Sequence, residues 1–165
     1  MEAIDQIVSR SLRSFLDFVN REKWTGRENE AVSLYAFGFL QRECCEAGPL
    51  TNPTQIGIEV GAADAPKKSP KSQVRKDLVI WRRPAANRWY PKVPRSKPLA
   101  IIEWKVRRGG SRLRAKGEAD IEWLASHCSR QPDTAGYTVL LNLSTQPAKL
   151  AAVRVTAKGS RELKI

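Results

Sequence analysis

The predicted strand from Leu99 to Val106 is apolar except for two charged side chains, Glu103 and Lys105, which flank Trp104. Alternate residues of a β-strand point to the same face of a sheet. Glu103 and Lys105 therefore project together, and Trp104 projects to the opposite face. Burying an unpaired charge is costly. Any fold of this chain must provide partners for a carboxylate and an ammonium group within a mostly apolar sheet.

A second apolar strand carries another carboxylate at its start, because Asp77 directly precedes the run Leu78–Trp81. Mg²⁺ takes oxygen ligands and is commonly held by one or two carboxylates. Asp77 and Glu103 are therefore candidate metal ligands, and Lys105 is a candidate catalytic residue beside them. The alternatives are that Asp77 caps a turn and that Glu103 and Lys105 form a pair at a sheet edge.

Two helices are predicted before the first strand. The first has an apolar stripe at helical spacing, formed by Ile4, Val8, Leu12, Phe15 and Val19. The second is predicted from Glu28 to Ala47, where apolar residues nearly encircle the segment. Gly48-Pro49 is typical of a helix end and is predicted to terminate it.

The remaining elements alternate in a way that indicates an α/β fold. Strands are predicted at residues 56–60, 74–81, 99–106 and 137–143, with 153–156 as a candidate for one more. A helix at residues 118–128 separates the third and fourth strands, which allows a parallel, right-handed crossover between them. The order α-α-β-β-β-α-β predicts a mixed central sheet flanked by helices.

The chain length of 165 residues suits one domain. We divide residues 1–165 into an N-terminal helix extension (1–27), a core (28–143) and a C-terminal strand or tail (144–165). The core contains a basic insertion, residues 82–98, whose four prolines exclude a central strand or a regular helix.

Several features favour a cytoplasmic protein. The three cysteines are odd in number and lack C-x-x-C spacing, which indicates reduced thiols. The N-terminus carries Glu2 and Asp5 and lacks an apolar segment, so no signal peptide is expected. No apolar run approaches the roughly 20 residues of a membrane span, and no membrane partner is expected.

The net charge of +12 is unevenly distributed along the chain. Residues 1–66 hold 6 basic and 10 acidic side chains, whereas residues 67–165 hold 23 basic and 7 acidic ones. A bias this uneven favours a surface that binds a polyanion, most plausibly nucleic acid. The alternative is a solvated basic face without a partner.

The positions of Asp77, Glu103 and Lys105, with the order of elements around them, resemble the PD-(D/E)XK nuclease superfamily. The resemblance covers roughly residues 28–143. The family pattern usually has a proline before the first acid, where this chain has Lys76. The 26-residue gap from Asp77 to Glu103 is long for the motif and requires an insertion, which residues 82–98 provide.

The resemblance implies a restriction-endonuclease-like core of order α-β-β-β-α-β. It also implies Mg²⁺, for which Mn²⁺ can substitute, bound by Asp77, Glu103 and the backbone carbonyl of Trp104. Lys105 would then position the attacking water or neutralise charge on the phosphate. We favour these roles over that of a base, because a lysine is a base only if its pKa is lowered.

The family often adds a glutamate from the helix that precedes the first strand. Glu28 and Glu30 are both candidates, and we choose Glu30 because it shares a helix face with Leu34 and Phe37. The alternative is that Glu30 is a first-turn acid that complements the helix dipole.

Basic residues on both sides of the motif strand are candidates for binding the nucleic-acid backbone. They are Arg82, Arg83 and Arg88 in the insertion, and Arg107, Arg108, Arg112 and Arg114 after the strand. Trp89 in the insertion would stack on bases or wedge a duplex, or else hold the loop together as a small core.

These observations lead us to expect a metal-dependent DNA nuclease, more plausibly an endonuclease than an exonuclease. A nucleic-acid-binding module on the same fold without cleavage is the alternative. A basic RNA-binding protein would explain the charge but leaves Asp77, Glu103 and Lys105 unexplained. Small nucleases of this type often dimerise to cut both strands, so a homodimer is a further expectation by analogy.

The charge distribution yields a test of where DNA binds. Replacing Arg107 and Arg108 with alanine should weaken binding to all duplex sequences. It should also flatten the log–log salt dependence by about 1 to 2 units, since each phosphate contact contributes a slope of about −0.9. Replacing Lys158, Arg161 and Lys164 should do less. Fluorescence anisotropy measures both slopes, and the opposite ranking would place DNA on another surface.

Overall fold

The computed structural model describes residues 2–61, 75–84, 97–107 and 113–165. In these ranges the protein is a mixed α/β structure with three α-helices and a six-stranded sheet. The helices are α1 (Glu2–Arg21), α2 (Glu28–Gly38) and α3 (Leu113–Arg130). The strands are β1 (Ile56–Gly61), β2 (Arg75–Trp81), β3 (Pro98–Arg107), β4 (Ala135–Asn142), β5 (Lys149–Thr156) and β6 (Gly159–Leu163).

The six strands lie side by side in their order along the chain. The pair β3 and β4 is parallel, and the other four neighbouring pairs are antiparallel. A parallel pair needs a long connection from one end of the sheet to the other, and α3 provides it. The predicted mixed sheet and the parallel pairing of the third and fourth strands are confirmed.

The sheet is covered by helices on both faces. Leu78 and Ile80 of β2 belong to the core cluster that contains the buried residues of α1 and α2. Val79 and Trp81, which alternate with them, pack with Leu124 of α3. This alternation is the two-residue period of a strand that is buried on both sides.

An aromatic cluster joins α1 to the motif strand. The fully buried ring of Phe15 makes edge contacts with four other rings, at centroid distances of 5.4–6.2 Å. These rings belong to Trp24, Tyr35, Phe39 and Trp104. Trp104 therefore points toward α1 and α2, on the face opposite Glu103, as strand alternation predicts. The first helix is part of the main core.

The second helix is shorter than its sequence predicts. Helix α2 ends at Gly38, and a separate 3-10 helix spans Leu40–Glu43, so the prediction of one helix to Ala47 is wrong. The chain turns at Phe39, which brings its ring against Phe15 and buries Leu40 completely. A continuous helix would point some of its encircling apolar residues away from the core, and Phe37 is indeed 52% exposed.

The later elements also differ from prediction at their ends. Helix α3 begins at Leu113, five residues before the predicted start of this helix at residue 118. Strand β5 starts at Lys149, and β6 was not predicted, because its sequence is polar and only Leu163 is buried. The cysteines are free thiols, as expected. Among the described residues, no helix has the length and apolar character needed to cross a membrane.

The aromatic cluster predicts a large difference between two phenylalanines. Phe15→Ala should reduce the free energy of unfolding by about 3 to 5 kcal/mol, because it opens a cavity among packed rings. Phe37→Ala, a matched change at an exposed site, should alter it by less than about 0.5 kcal/mol. Urea unfolding followed by circular dichroism measures both values. Similar losses for the two variants would mean that α1 does not pack as described.

Candidate functional site

The motif side chains converge where β2 begins and β3 approaches its end. The antiparallel pairing of β2 with β3 includes Leu78 opposite Ile102. One residue beyond that pair, Asp77 Oδ2 accepts a hydrogen bond of 2.7 Å from the backbone N–H of Trp104. The Asp77 side chain thus replaces a backbone carbonyl as the acceptor for the Trp104 N–H of β3. The register places Asp77 opposite Glu103, and this contact fixes its carboxylate near Glu103 and Lys105.

Lys105 is held by oxygen atoms from three elements. Its ammonium group lies 3.0 Å from Asp120 Oδ2 on α3 and 3.8 Å from Glu28 Oε1 on α2. It also donates a hydrogen bond of 2.7 Å to the carbonyl of Trp104. The interpretation of a simple pair with Glu103 at a sheet edge is not supported, because Lys105 pairs with helix carboxylates in a sheet covered on both faces.

Asp120 is a site residue that was not predicted from the sequence. A signal for it was present, because Asp120 lies four residues before the buried Leu124 and therefore shares a helix face with it. An acidic residue on the inner face of a helix needs a partner. Lys105 is that partner.

The structure corrects the choice between the two glutamates of α2. Glu28 reaches the site, where its Oε2 accepts a hydrogen bond of 3.1 Å from the backbone N–H of Val106. Glu30 is exposed and accepts a hydrogen bond of 2.5 Å from the backbone N–H of Arg27 in a capping box. The predicted place of Glu30 in the site is therefore wrong. Glu30 lies on the helix face that carries the exposed Phe37. Glu28 is the first residue of α2, where the helix lies against β3.

Lys76, which precedes Asp77, is a second lysine in the site. It is 3% exposed, and its ammonium group lies 3.5 Å from Glu103 Oε1. The same nitrogen lies 2.9 Å from the ring centroid of Trp123 on α3. A buried ammonium group needs such compensation. Sequence analysis noted Lys76 only as a departure from the family pattern.

The electrostatic environment raises the pKa of both motif carboxylates. Burial, followed by the negative charge of Asp77, raises the pKa of Glu103 to about 7, and Lys76 offsets part of this effect. Burial also raises the pKa of Asp77, against the opposing effect of the Trp104 N–H. Two carboxylates therefore share a water-poor site in which their negative charges repel each other.

The two lysines are affected in opposite directions. Burial lowers the pKa of Lys76, and the charge of Glu103 compensates only in part. Burial acts against the charge of Lys105 too, but the hydrogen bond and charge of Asp120 outweigh it, so the pKa of Lys105 is raised. Lys105 remains protonated at neutral pH, which suits charge stabilisation and not proton abstraction.

A divalent cation fits the charge of this site. Its carboxylates are Glu28, Asp77, Glu103 and Asp120, and its ammonium groups are Lys76 and Lys105. With all six ionised the net charge is −2. Glu103 Oε1 accepts no hydrogen bond from the described residues, so a ligand atom is available. In the described part of the chain as a whole, no three or more His, Cys, Asp or Glu side chains are grouped so that they could hold a metal ion by themselves. The candidate set is two carboxylates and the Trp104 carbonyl.

The predicted nucleic-acid contacts do not all lie near this site. Arg82 and Arg83 follow the far end of β2, about 16 Å from Asp77 at 3.3 Å per residue. Arg82 donates a hydrogen bond to the carbonyl of Asp133 there. These two arginines flank the motif in sequence, but the strand carries them to the end of β2 away from the site. Their contact with nucleic acid stays a prediction.

Arg107 lies at the same end of β3 as Lys105, two residues further along the strand. Arg88, Trp89, Arg108 and Arg112 lie outside the described residues. Arg114 belongs to the first turn of α3, where the backbone alone is described. The predicted role of these residues in binding nucleic acid stays a prediction.

Comparisons with protein-family models, with curated proteins and with solved structures found no match for this chain. The chemistry of the site must therefore be argued from its own geometry.

The raised pKa of Glu103 predicts a pH-dependent stability. Folding favours the protonated form, so this contribution is fully present below about pH 4.5 and is lost as the pH rises through about 7. Between these limits the free energy of unfolding of the wild type should fall by about 3 kcal/mol relative to Glu103→Gln. Urea unfolding at several pH values measures the difference. Parallel curves for the two proteins would contradict the burial of this carboxyl group.

Proposed function

We propose that this protein is a metal-dependent nuclease of the PD-(D/E)XK type that hydrolyses phosphodiester bonds in DNA. The observation that carries the proposal is the convergence of Asp77, Glu103 and Lys105 at one end of adjacent strands. The antiparallel register of β2 and β3 brings Asp77 opposite Glu103, because Leu78 pairs with Ile102. The Asp77 carboxylate also accepts a hydrogen bond from the Trp104 N–H, and Trp104 offers its carbonyl as a further ligand.

The order of elements supports a restriction-endonuclease-like core. Helix α2, strands β1 to β3, helix α3 and strand β4 follow one another as α-β-β-β-α-β. The crossover through α3 joins the one parallel pair of strands. In this arrangement the motif acids lie on the central strands and the flanking helices contribute Glu28 and Asp120.

Each site residue has a chemical role in this proposal. Asp77, Glu103 and the Trp104 carbonyl would hold the metal. A bound Mg²⁺ supplies polarisation of the scissile phosphate and acidifies a bound water. Lys105, kept protonated by Asp120 and Glu28, would stabilise negative charge that develops on the phosphate oxygens.

DNA as the substrate is supported by charge. With its six charged groups ionised the site has a net charge of −2, so it does not attract a polyanion without help. Residues 67–165 carry an excess of 16 positive charges, and Arg107 lies next to the site. A basic surface around an acidic centre binds the phosphate backbone while leaving the carboxylates for a metal.

A binding module on the same fold is the second candidate. Lys76 lies 3.5 Å from Glu103, and Lys105 donates to the Trp104 carbonyl, so cations of the chain itself already occupy positions beside two candidate ligands. A protein that binds DNA without cleaving it could keep this self-neutralised arrangement. Cleavage assays separate the two candidates.

The nuclease proposal predicts loss of cleavage without loss of binding. Asp77→Ala, Glu103→Ala and Lys105→Ala should each reduce cleavage with Mg²⁺ or Mn²⁺ by at least about 100-fold, because each removes a ligand or a stabilising charge. DNA affinity should stay within a few-fold of the wild type. Cleavage of plasmid and of linear, nicked, branched and single-stranded oligonucleotides, with anisotropy for binding, measures both properties.

The matched control is Glu122→Gln, an exposed acid on α3 that faces away from the site. It should cleave as the wild type does. Undiminished cleavage in EDTA would contradict a metal mechanism. A wild type that binds DNA but cleaves none of these substrates with either metal would favour the binding module.

A further inference from the structure

Lys76 is the one buried charge of the site that the proposed reaction leaves without a role. Two groups among the described residues contact its ammonium nitrogen. Glu103 Oε1 lies 3.5 Å away, and the ring of Trp123 lies 2.9 Å away by its centroid. The side chain is almost completely shielded from water, so its charge is felt strongly by its neighbours.

We infer that Lys76 is a built-in counter-cation of the Asp77–Glu103 pair that weakens binding of a divalent ion until a substrate phosphate adds negative charge. The inference rests on the proposed metal site. With Lys76 the site has a net charge of −2, and without it the net charge would be −3. A divalent ion bound between the carboxylates would lie close to the ammonium group and would be repelled by it.

The geometry distinguishes this role from that of an ordinary buried ion pair. A buried pair that only stabilises the fold is expected to be hydrogen-bonded on both sides. Here the separation between Lys76 Nζ and Glu103 Oε1 is 3.5 Å, and that oxygen accepts no short hydrogen bond from the described residues. A metal ion would therefore compete with Lys76 for this oxygen. Trp123 provides an aromatic surface that holds the ammonium group in place when Glu103 takes another partner.

The consequence is a site that binds metal together with substrate. The phosphate of bound DNA supplies the negative charge that Lys76 has offset, and it supplies oxygen ligands as well. Lys105 differs in this respect, because Asp120 and Glu28 already balance its charge. Lys76 is therefore the lysine whose charge is balanced by a candidate metal ligand itself, whereas the charge of Lys105 is balanced mainly by two other carboxylates.

The test is a measurement of Mn²⁺ binding by the full chain without nucleic acid. Free Mn²⁺ is quantified by electron paramagnetic resonance at about pH 7.5. Lys76→Met keeps an unbranched side chain, one atom shorter, and removes its charge, and Lys76→Gln is a second neutral variant in case the first is unstable. Both should bind Mn²⁺ at least about tenfold more tightly than the wild type.

Two controls locate the effect. Lys158→Met, at an exposed position in the turn between β5 and β6, removes a lysine charge at the end of the sheet away from the site and should leave Mn²⁺ binding unchanged. Adding Asp77→Asn to Lys76→Met should abolish the gain. Circular dichroism melts confirm that each variant is folded.

The outcomes separate this inference from the proposed function. If both neutral variants bind Mn²⁺ no more tightly than the wild type, Lys76 does not restrain metal binding and the inference is overturned. The same holds if the gain survives Asp77→Asn, because the ion would then bind elsewhere. Neither result affects the nuclease proposal, which is decided by metal-dependent DNA cleavage and its loss in the Asp77 and Glu103 variants.

Discussion

Trp104 connects the hydrophobic core to the candidate site. Its side chain is fully buried and contacts the rings of Phe15 and Tyr35. Its N–H donates to Asp77, and its carbonyl accepts from Lys105. Because the indole ring is locked among aromatic neighbours, the backbone atoms of the same residue are held rigidly. The positions of the Asp77 carboxylate and the Lys105 ammonium group therefore depend on the packing of the Trp104 side chain.

The site concentrates charge in a place where water is scarce. Each lysine there is matched to a different carboxylate environment: Lys105 to the helix acids Asp120 and Glu28, and Lys76 to the strand acid Glu103. This separation explains why the pKa of Lys105 is raised while that of Lys76 is lowered. The carboxylates outnumber the ammonium groups by two, so one divalent cation, as the proposed reaction requires, would balance the charge of the ionised site.

Local patterns were sufficient to predict much of the fold. The strands at Ile56–Gly61, Arg75–Trp81 and Pro98–Arg107 were predicted because apolar alternation and short apolar runs are properties of the strand alone. The end of α2 was missed, because the turn at Phe39 depends on the place of Phe15 in another helix. Strand β6 was missed, since a polar segment pairs at a sheet edge through its backbone and leaves little pattern in its side chains.

The amino-acid sequence alone determined that Glu103 and Lys105 share one face of a strand and that Trp104 occupies the other. It also determined the basic character of the C-terminal half. The tertiary structure decided which helix acids reach Lys105, why Glu28 and not Glu30 is among them, and that Lys76 lies beside Glu103. These contacts join residues that are far apart in the chain, and only the packing of the helices against the sheet brings them within a few ångströms of each other.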